Sequence, residues 1–273
     1  MVWVDGELAP AAEASVAALD HGLTVGDGVF ETCKVVQGRP FALSRHLRRL
    51  ETSARVLGLT VPPGVRAAVE AVLGVAHLPL GRLRITVTAG GGPLGSSRGT
   101  GGTSLIVAAA PAEQWPSRIA AITVPWTRNE NSAVAGAKTT SYAENVVALR
   151  AAHRAGAHEA ILANTRGELC EGTGTNVVLA LDGHLVTPPL SSGCLAGITR
   201  ELLLEWSEQA GTPIEQCTLT MAELSGAQSV LLTSSTRDVQ PVAELDGRPL
   251  EQTTAARAAV ELFAGRAAEN VDP

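Results

Sequence analysis

The chain has 273 residues, 45% of them apolar and 18% charged, with a net charge of −6. This balance excludes a disordered chain, and the acidic charge argues against a nucleic-acid partner. No apolar run approaches the roughly 20 residues of a membrane span. The N-terminus has no basic segment leading into an apolar stretch, so a cytoplasmic protein is expected. Cys33, Cys170, Cys194 and Cys217 are scattered, without a CxxC pair or metal-ligand spacing. Reduced thiols and no metal site are therefore expected.

In chain order, Val2–Val4 reads as a short strand closed by Asp5-Gly6. Val29–Val36 is a second strand, with Gln37-Gly38 as a hairpin turn into Pro40-Phe41. Ser44 can cap a helix to Leu57, with Leu47, Leu50, Ala54 and Leu57 on one face and Gly58 as its stop. A helix over Val65–Leu73 precedes a strand at Leu83–Thr88. A glycine-dense loop over 90–102 then leads into a strand at Leu105–Ala109. The prolines at 111 and 116 suggest a break, giving an N-terminal domain over 1–112, a linker over 113–117 and a larger C-terminal domain over 118–273.

In the second part, Ser141 and Glu144 have capping-box spacing for a helix ending near Gly156. Strands follow at Ala160–Ala163 and Val177–Leu181, and Asp182-Gly183 turns the latter into Leu185-Val186. Thr199 is placed to cap a helix over Arg200–Gln209 that stops at Gly211, and Val230–Leu232 is a buried strand. The pattern is α+β in two domains.

Of the 21 basic residues only Lys34 and Lys138 are lysines. Where arginine serves nearly every cationic position, a retained lysine is a candidate for chemistry that needs a primary amine. Lys138 lies among small uncharged residues just before the predicted helix, short of carboxylate partners, which suits a nucleophilic amine. Gly197-Ile198-Thr199 offers free amides and a hydroxyl at a helix start, a natural phosphate cradle. Thr233–Thr236 places four hydroxyls in a row at the end of a strand. Glu171, followed by small residues, could face a ring nitrogen. Arg49 could reach an anion as a forked donor. An amine, a phosphate cradle and a carboxylate for a ring nitrogen are the parts that pyridoxal phosphate (PLP) requires.

The chain resembles the class IV, or fold-type IV, PLP-dependent aminotransferases. Asp20-His21-Gly22 and Gly26-Asp27-Gly28-Val29-Phe30-Glu31-Thr32 are similar to that family's N-terminal signature. His46-Leu47-Arg48-Arg49-Leu50 resembles its H-x-x-R-L helix, and Leu195-Ala196-Gly197-Ile198-Thr199-Arg200 its phosphate motif. Thr233–Thr236 resembles its last phosphate-binding turn, and Glu171 through Asn176 its E-x-x-x-x-N segment. The resemblance implies a small N-terminal and a larger C-terminal α/β domain with PLP in the cleft between them, normally in a homodimer. It implies Lys138 as Schiff-base lysine and catalytic base, and Glu171 as partner of the pyridine nitrogen. Arg49, Asn176, Ile198, Thr199, Ser235 and Thr236 are implied as cofactor-binding residues, together with Tyr142.

Tyr142 lies four residues after Lys138, a spacing like that of the D-amino-acid aminotransferases and aminodeoxychorismate lyases rather than the branched-chain enzymes. Phe30, Lys34 and Arg98 become candidate substrate residues, with an amino acid and a 2-keto acid as partners. A transaminase favouring D-amino acids is expected. Aminodeoxychorismate lyase, yielding 4-aminobenzoate and pyruvate, is the alternative, and a catalytically silent PLP-binding protein is a third reading.

Overall fold

A computed structural model describes residues 1–273. They divide into two compact units, one of residues 1–114, 137–142 and 271–273, the other of residues 115–136 and 143–270. Lys138, which a single boundary at 113–117 assigns to the second domain, therefore folds with the first unit.

In the first unit, strands β1 (Val2–Val4) and β2 (Glu7–Ala9) form a hairpin, followed by the one-turn helix α1 (His21–Thr24). The long strand β3 (Gly28–Val36) turns into β4 (Arg39–Pro40). Helices α2 (Leu43–Leu57) and α3 (Val65–Val75) precede β5 (Leu80–Thr88) and β6 (Ser104–Pro111). The six strands make a sheet in the order β2-β1-β6-β5-β3-β4. Gln37 and Gly38 both have positive φ, 50° and 74°, the backbone that a two-residue hairpin requires.

Alternation along β3 and β5 sends Cys33, Val35, Leu83, Ile85 and Val87 to one face. There they bury against Leu50 and Ala54 of α2 and Ala68, Val69 and Val72 of α3. Phe30, Thr32, Lys34, Arg82 and Arg84 point to the opposite face by the same alternation. Glu31 is the exception in kind, because a carboxylate occupies a core-facing position.

Gly58 ends α2 in the left-handed region as predicted, at φ 65°. Ser44 does not cap it. The helix starts at Leu43 after Ala42, whose side chain makes no cap. Instead the Ser44 amide and hydroxyl both donate to the Asp272 carboxylate, at 2.8 and 2.5 Å, and the Ala42 amide donates to the Val271 carbonyl. The cap comes from 228 residues away, so no local pattern could reveal it.

The second unit contains β7 (Ile119–Arg128), α4 (Ala143–Arg154), β8 (Glu159–Asn164), β9 (Leu169–Gly172), β10 (Asn176–Leu181) and β11 (His184–Thr187). It continues with α5 (Ile198–Gln209), β12 (Glu215–Gln216), α6 (Met221–Gly226), β13 (Ser229–Ser234), β14 (Asp238–Leu245), β15 (Arg248–Pro249) and α7 (Thr254–Glu269). Its mixed sheet runs β12-β11-β10-β13-β14-β7-β8-β9, with β15 on β14. Leu169, Val177, Leu179, Val230, Leu232 and Val242 form its core, and Trp206 of α5 meets Phe263 of α7 at 5.1 Å between ring centroids.

Two further helix starts differ from expectation. Helix α4 begins at Ala143, and the Ser141 hydroxyl donates to the Gly26 carbonyl instead of closing a capping box with Glu144. Helix α5 begins at Ile198, so Thr199 lies inside its first turn and Gly197 is the cap residue, without a side-chain cap. A complete capping box stands elsewhere, between Thr220 and Glu223 at the start of α6.

Removing the long-range cap by Asp272→Ala is expected to destabilise the protein by about 1 kcal/mol, the usual worth of a helix cap. Urea unfolding followed by circular dichroism measures it. An unchanged midpoint would assign the α2 start to packing alone.

Candidate active site

Lys138 is held by its backbone. Its amide donates to the Ser53 hydroxyl at 3.1 Å and its carbonyl accepts from the Phe30 amide at 2.9 Å. Thr139 bridges Val29, and the Thr140 amide donates to the Gly28 carbonyl. The lysine thus sits on an extended segment docked along β3, five residues before α4 begins at Ala143. Its Nζ lies 3.3 Å from the Tyr142 hydroxyl and 4.4 Å from the Phe30 ring centroid. The two rings meet edge-on at 5.2 Å. No carboxylate forms an ion pair with this amine.

On the core side of β3, Glu31 is fully buried between His46 and Arg49 of α2. These two share a helix face by their spacing of three. Arg49 donates from Nε and Nη2 at 2.8 and 2.7 Å, a bidentate grip, and His46 Nδ1 lies 2.6 Å from the same carboxylate. An ionised carboxylate only accepts, so Nδ1 carries the proton. Burial alone would raise the Glu31 carboxyl, but the Arg49 charge and the bonds from Arg49 and His46 hold it down at about 2. Burial likewise pushes the His46 ring down, against the pull of Glu31.

Arg98 is not a free cation. Its guanidinium donates to both Asp27 oxygens at 2.6 and 2.7 Å and to the Leu57 and Gly58 carbonyls, pinning the glycine-rich loop. Asp20 and His21 hold that loop's other strand. Thr88 donates to Asp20, and the His21 ring reaches the Pro93 carbonyl at 3.0 Å. Arg84, overlooked in the sequence, lays its guanidinium 3.6 Å from the Phe30 centroid. Lys34 lies 5.6 Å from the Phe41 ring, further along the same strand face. The signal for Arg84 was the alternation of β5, which sets it directly opposite Thr32.

In the second unit, Glu171 on β9 accepts from the Leu195 amide at 2.9 Å and stands 3.0 Å from Arg128 Nε. Asn176 donates to the Leu195 carbonyl at 2.8 Å. A Cβ on Gly197 would collide with Asn176 Oδ1 at 1.9 Å, so only glycine lets the α5 start approach that side chain. The amides of Ile198, Thr199 and Arg200 have no intrahelical acceptor, as at any helix start, and no side chain caps them. Across from Asn176 lies Thr233. The Thr233 and Ser234 hydroxyls are buried with no hydrogen-bond partner. Ser235 and Thr236 follow in the half-buried turn between β13 and β14.

A second buried carboxylate organises these loops. Glu159 accepts from the amide and hydroxyl of Thr173 and from the Thr175 hydroxyl, and it pairs with Arg237 at 3.4 Å. Arg237 follows Thr236 directly and stacks on Trp115 at 3.9 Å. Glu159 therefore ties the 172–175 loop, between Glu171 and Asn176, to the hydroxyl-rich turn. The sequence reading missed it because an acid at the start of a strand carries no local signal.

Residues 28–245 match the family described as amino-transferase class IV. The chain belongs to the class IV aminotransferases. It is 33% identical to the bifunctional aminodeoxychorismate lyase / D-amino acid transaminase of Mycobacterium tuberculosis, over 96% of each chain. Among solved structures it resembles the PLP-bound form of a hypothetical aminotransferase from Mycobacterium tuberculosis, at 32% identity and a TM-score of 0.84, covering 97% of this chain and 98% of that one. It also resembles the Escherichia coli branched-chain amino acid aminotransferase, at 26% identity and a TM-score of 0.89, covering 97% and 93%. The α+β architecture is that of the fold-type IV enzymes, the cofactor is PLP, and the substrates are amino and keto acids. The residues fit that cofactor. Orphaned hydroxyls and uncapped amides suit a phosphate, and an amine without a counter-ion suits an aldehyde. No helix is long and apolar enough to cross a membrane.

Glu31→Gln leaves the Arg49 charge without its partner and is expected to cost about 3 kcal/mol or more. The Glu31 carboxyl is lowered from 4.5 to about 2, so its contribution is complete above pH 4.5 and disappears as pH falls toward 2. Melting temperatures of wild type and Glu31→Gln should differ most near neutrality and converge in acid. A constant difference across that range would assign the loss to packing.

Proposed function

We propose that the protein is a transaminase that moves an amino group between a D-amino acid and a 2-keto acid, with Lys138 as its catalytic base. The observation that carries this reading is the Lys138 amine, 3.3 Å from a phenol and without a carboxylate partner. Bound PLP supplies an electron sink conjugated to the substrate nitrogen. Lys138 Nζ would hold the aldehyde of PLP and, with substrate bound, would be the base for the substrate's Cα proton. The Tyr142 hydroxyl orients that amine, and the Phe30 ring gives it an apolar wall. Glu171 would keep a proton on the ring nitrogen. In the second unit the Ile198 and Thr199 amides and the hydroxyls of Thr233 through Thr236 would take the phosphate, with Asn176 beside Gly197, and in the first unit the Arg49 guanidinium would be a further phosphate donor.

For the substrate carboxylate we assign Arg84 rather than Arg98, whose donors are engaged by Asp27 and two carbonyls. Arg84 stands on the Phe30 ring and makes only a long bond to Thr86, at 3.3 Å. Lys34 continues this cationic strand face. Preference for D-amino acids is supported by the four-residue step from Lys138 to Tyr142 and by the D-amino acid transaminase activity named for the M. tuberculosis relative. The same relative's lyase activity supports a second reading, aminodeoxychorismate lyase. Exposed Leu19, Leu23, Val25 and Leu94, clustered on the α1 segment and glycine loop, support a homodimer. Four unpaired cysteines suit a reducing cytoplasm.

Lys138→Ala should lose the visible absorbance of the loaded enzyme and essentially all turnover, and borohydride should no longer fix PLP to the peptide around residue 138. A panel of D- and L-amino acids, followed by conversion to the pyridoxamine form, decides the substrate. Conversion only with L-amino acids would refute the D preference, and pyruvate release from aminodeoxychorismate without conversion would favour the lyase.

Arg84→Gln is expected to raise KM about tenfold or more with kcat little changed, as loss of a charged hydrogen bond implies. Arg98→Gln should instead lower the melting temperature. The reverse pattern in steady-state kinetics would restore the substrate role to Arg98.

A further inference from the structure

We propose that Arg128 is a positioning residue for Glu171, holding in its charged form the carboxylate that faces the cofactor's ring nitrogen. The inference rests on the role given to Glu171 above. Arg128 Nε stands 3.0 Å from Glu171 Oε1, within ion-pair distance, yet this buried N–H has no well-aligned acceptor. Direction is supplied from the other side, where the Leu195 amide donates to Oε2 at 2.9 Å. The contribution of Arg128 is therefore mainly charge. A cation at that distance favours the ionised carboxylate, and an ionised carboxylate is what holds a proton on a pyridine nitrogen.

Arg128 is itself held in place. Its Nη1 donates to Asn145 Oδ1 at 2.9 Å, and Asn145 donates from Nδ2 to the Thr173 carbonyl. The only other acid near Arg128, Glu144, is 3.9 Å away with a side chain 80% exposed, too solvated to compete. The guanidinium ends β7, its anchor opens α4, and the carboxylate it serves leaves β9. Three elements thus converge on the charge beside one side chain. Either oxygen of Glu171 can accept more than one hydrogen bond, so these contacts do not prevent it from meeting a ring N–H.

The test compares Arg128→Gln, Arg128→Lys, Glu171→Gln and the Arg128→Gln/Glu171→Gln double variant. Apoprotein is titrated with PLP, and the pH dependence of the loaded protein's visible absorbance is recorded. Arg128→Gln should weaken PLP binding roughly tenfold or more, as when the outer partner of a cofactor-binding group is lost, and should shift the absorbance profile. Arg128→Lys, which keeps the charge, should recover most of both. In the Glu171→Gln background the Arg128 change should add almost nothing, because the two act as one unit. Should Arg128→Gln not fold, Asn145→Ala replaces it, with the same effect in smaller measure and the same lack of additivity. Additive losses, or a wild-type profile in Arg128→Gln, overturn the inference alone. A wild-type profile in Glu171→Gln removes the role of Glu171 itself, and the inference with it.

Discussion

A lysine can attack an aldehyde only while no carboxylate claims its amine, and the first unit meets that condition by giving its acids other partners: Glu31 is held by Arg49 and His46, and Asp27 by Arg98. The second unit treats its acids in the same way, with Glu171 held by Arg128 and Glu159 by Arg237. Each acid thus has an arginine, which cannot give up its charge. Lys138 is left with a phenol and an aromatic ring. The near-total use of arginine in this chain acquires a physical meaning here, because the permanent cations neutralise the acids and leave a primary amine free.

Burying these charges has a cost that only close partners offset. A carboxylate without water is tolerable when two or three donors meet it at hydrogen-bond distance. Glu31 and Glu159 are both fully buried and both answered in this way. The result is more than neutralisation. Glu31 fixes the guanidinium of Arg49 against β3, the strand on which the Lys138 segment docks. Glu159 fixes the loop between Glu171 and Asn176 and the turn that carries Ser235 and Thr236. Burial also pushes the Cys33 and Cys194 thiols up.

Much of the fold could be read from local pattern, since strands announce themselves by alternation and hairpins by paired turn residues. Val29–Val36, Gln37-Gly38 and Asp182-Gly183 are of this kind. Helix starts were less legible. Ser44, Ser141 and Thr199 all have the chemistry of a cap, and none caps its helix, because Asp272, Gly26 and the geometry around Gly197 claim those positions instead. A hydroxyl bonds to the best acceptor within reach, and reach depends on the folded chain.

The sequence by itself determined which groups are present: one lysine among small residues, a glycine and two hydrogen-bonding neighbours at a helix start, a run of hydroxyls, and an acid followed by small residues. Those are matters of residue type and spacing, and they suggest the cofactor, while the order of the motifs carries the resemblance to the family. Tertiary structure alone decided which of many arginines serve which acids, that Lys138 folds with the first unit, and that Arg98 braces a loop while Arg84 lies on the Phe30 ring. Ion pairing depends on distances of a few ångströms between residues far apart in the chain, and such distances exist only once the sheets and helices have packed.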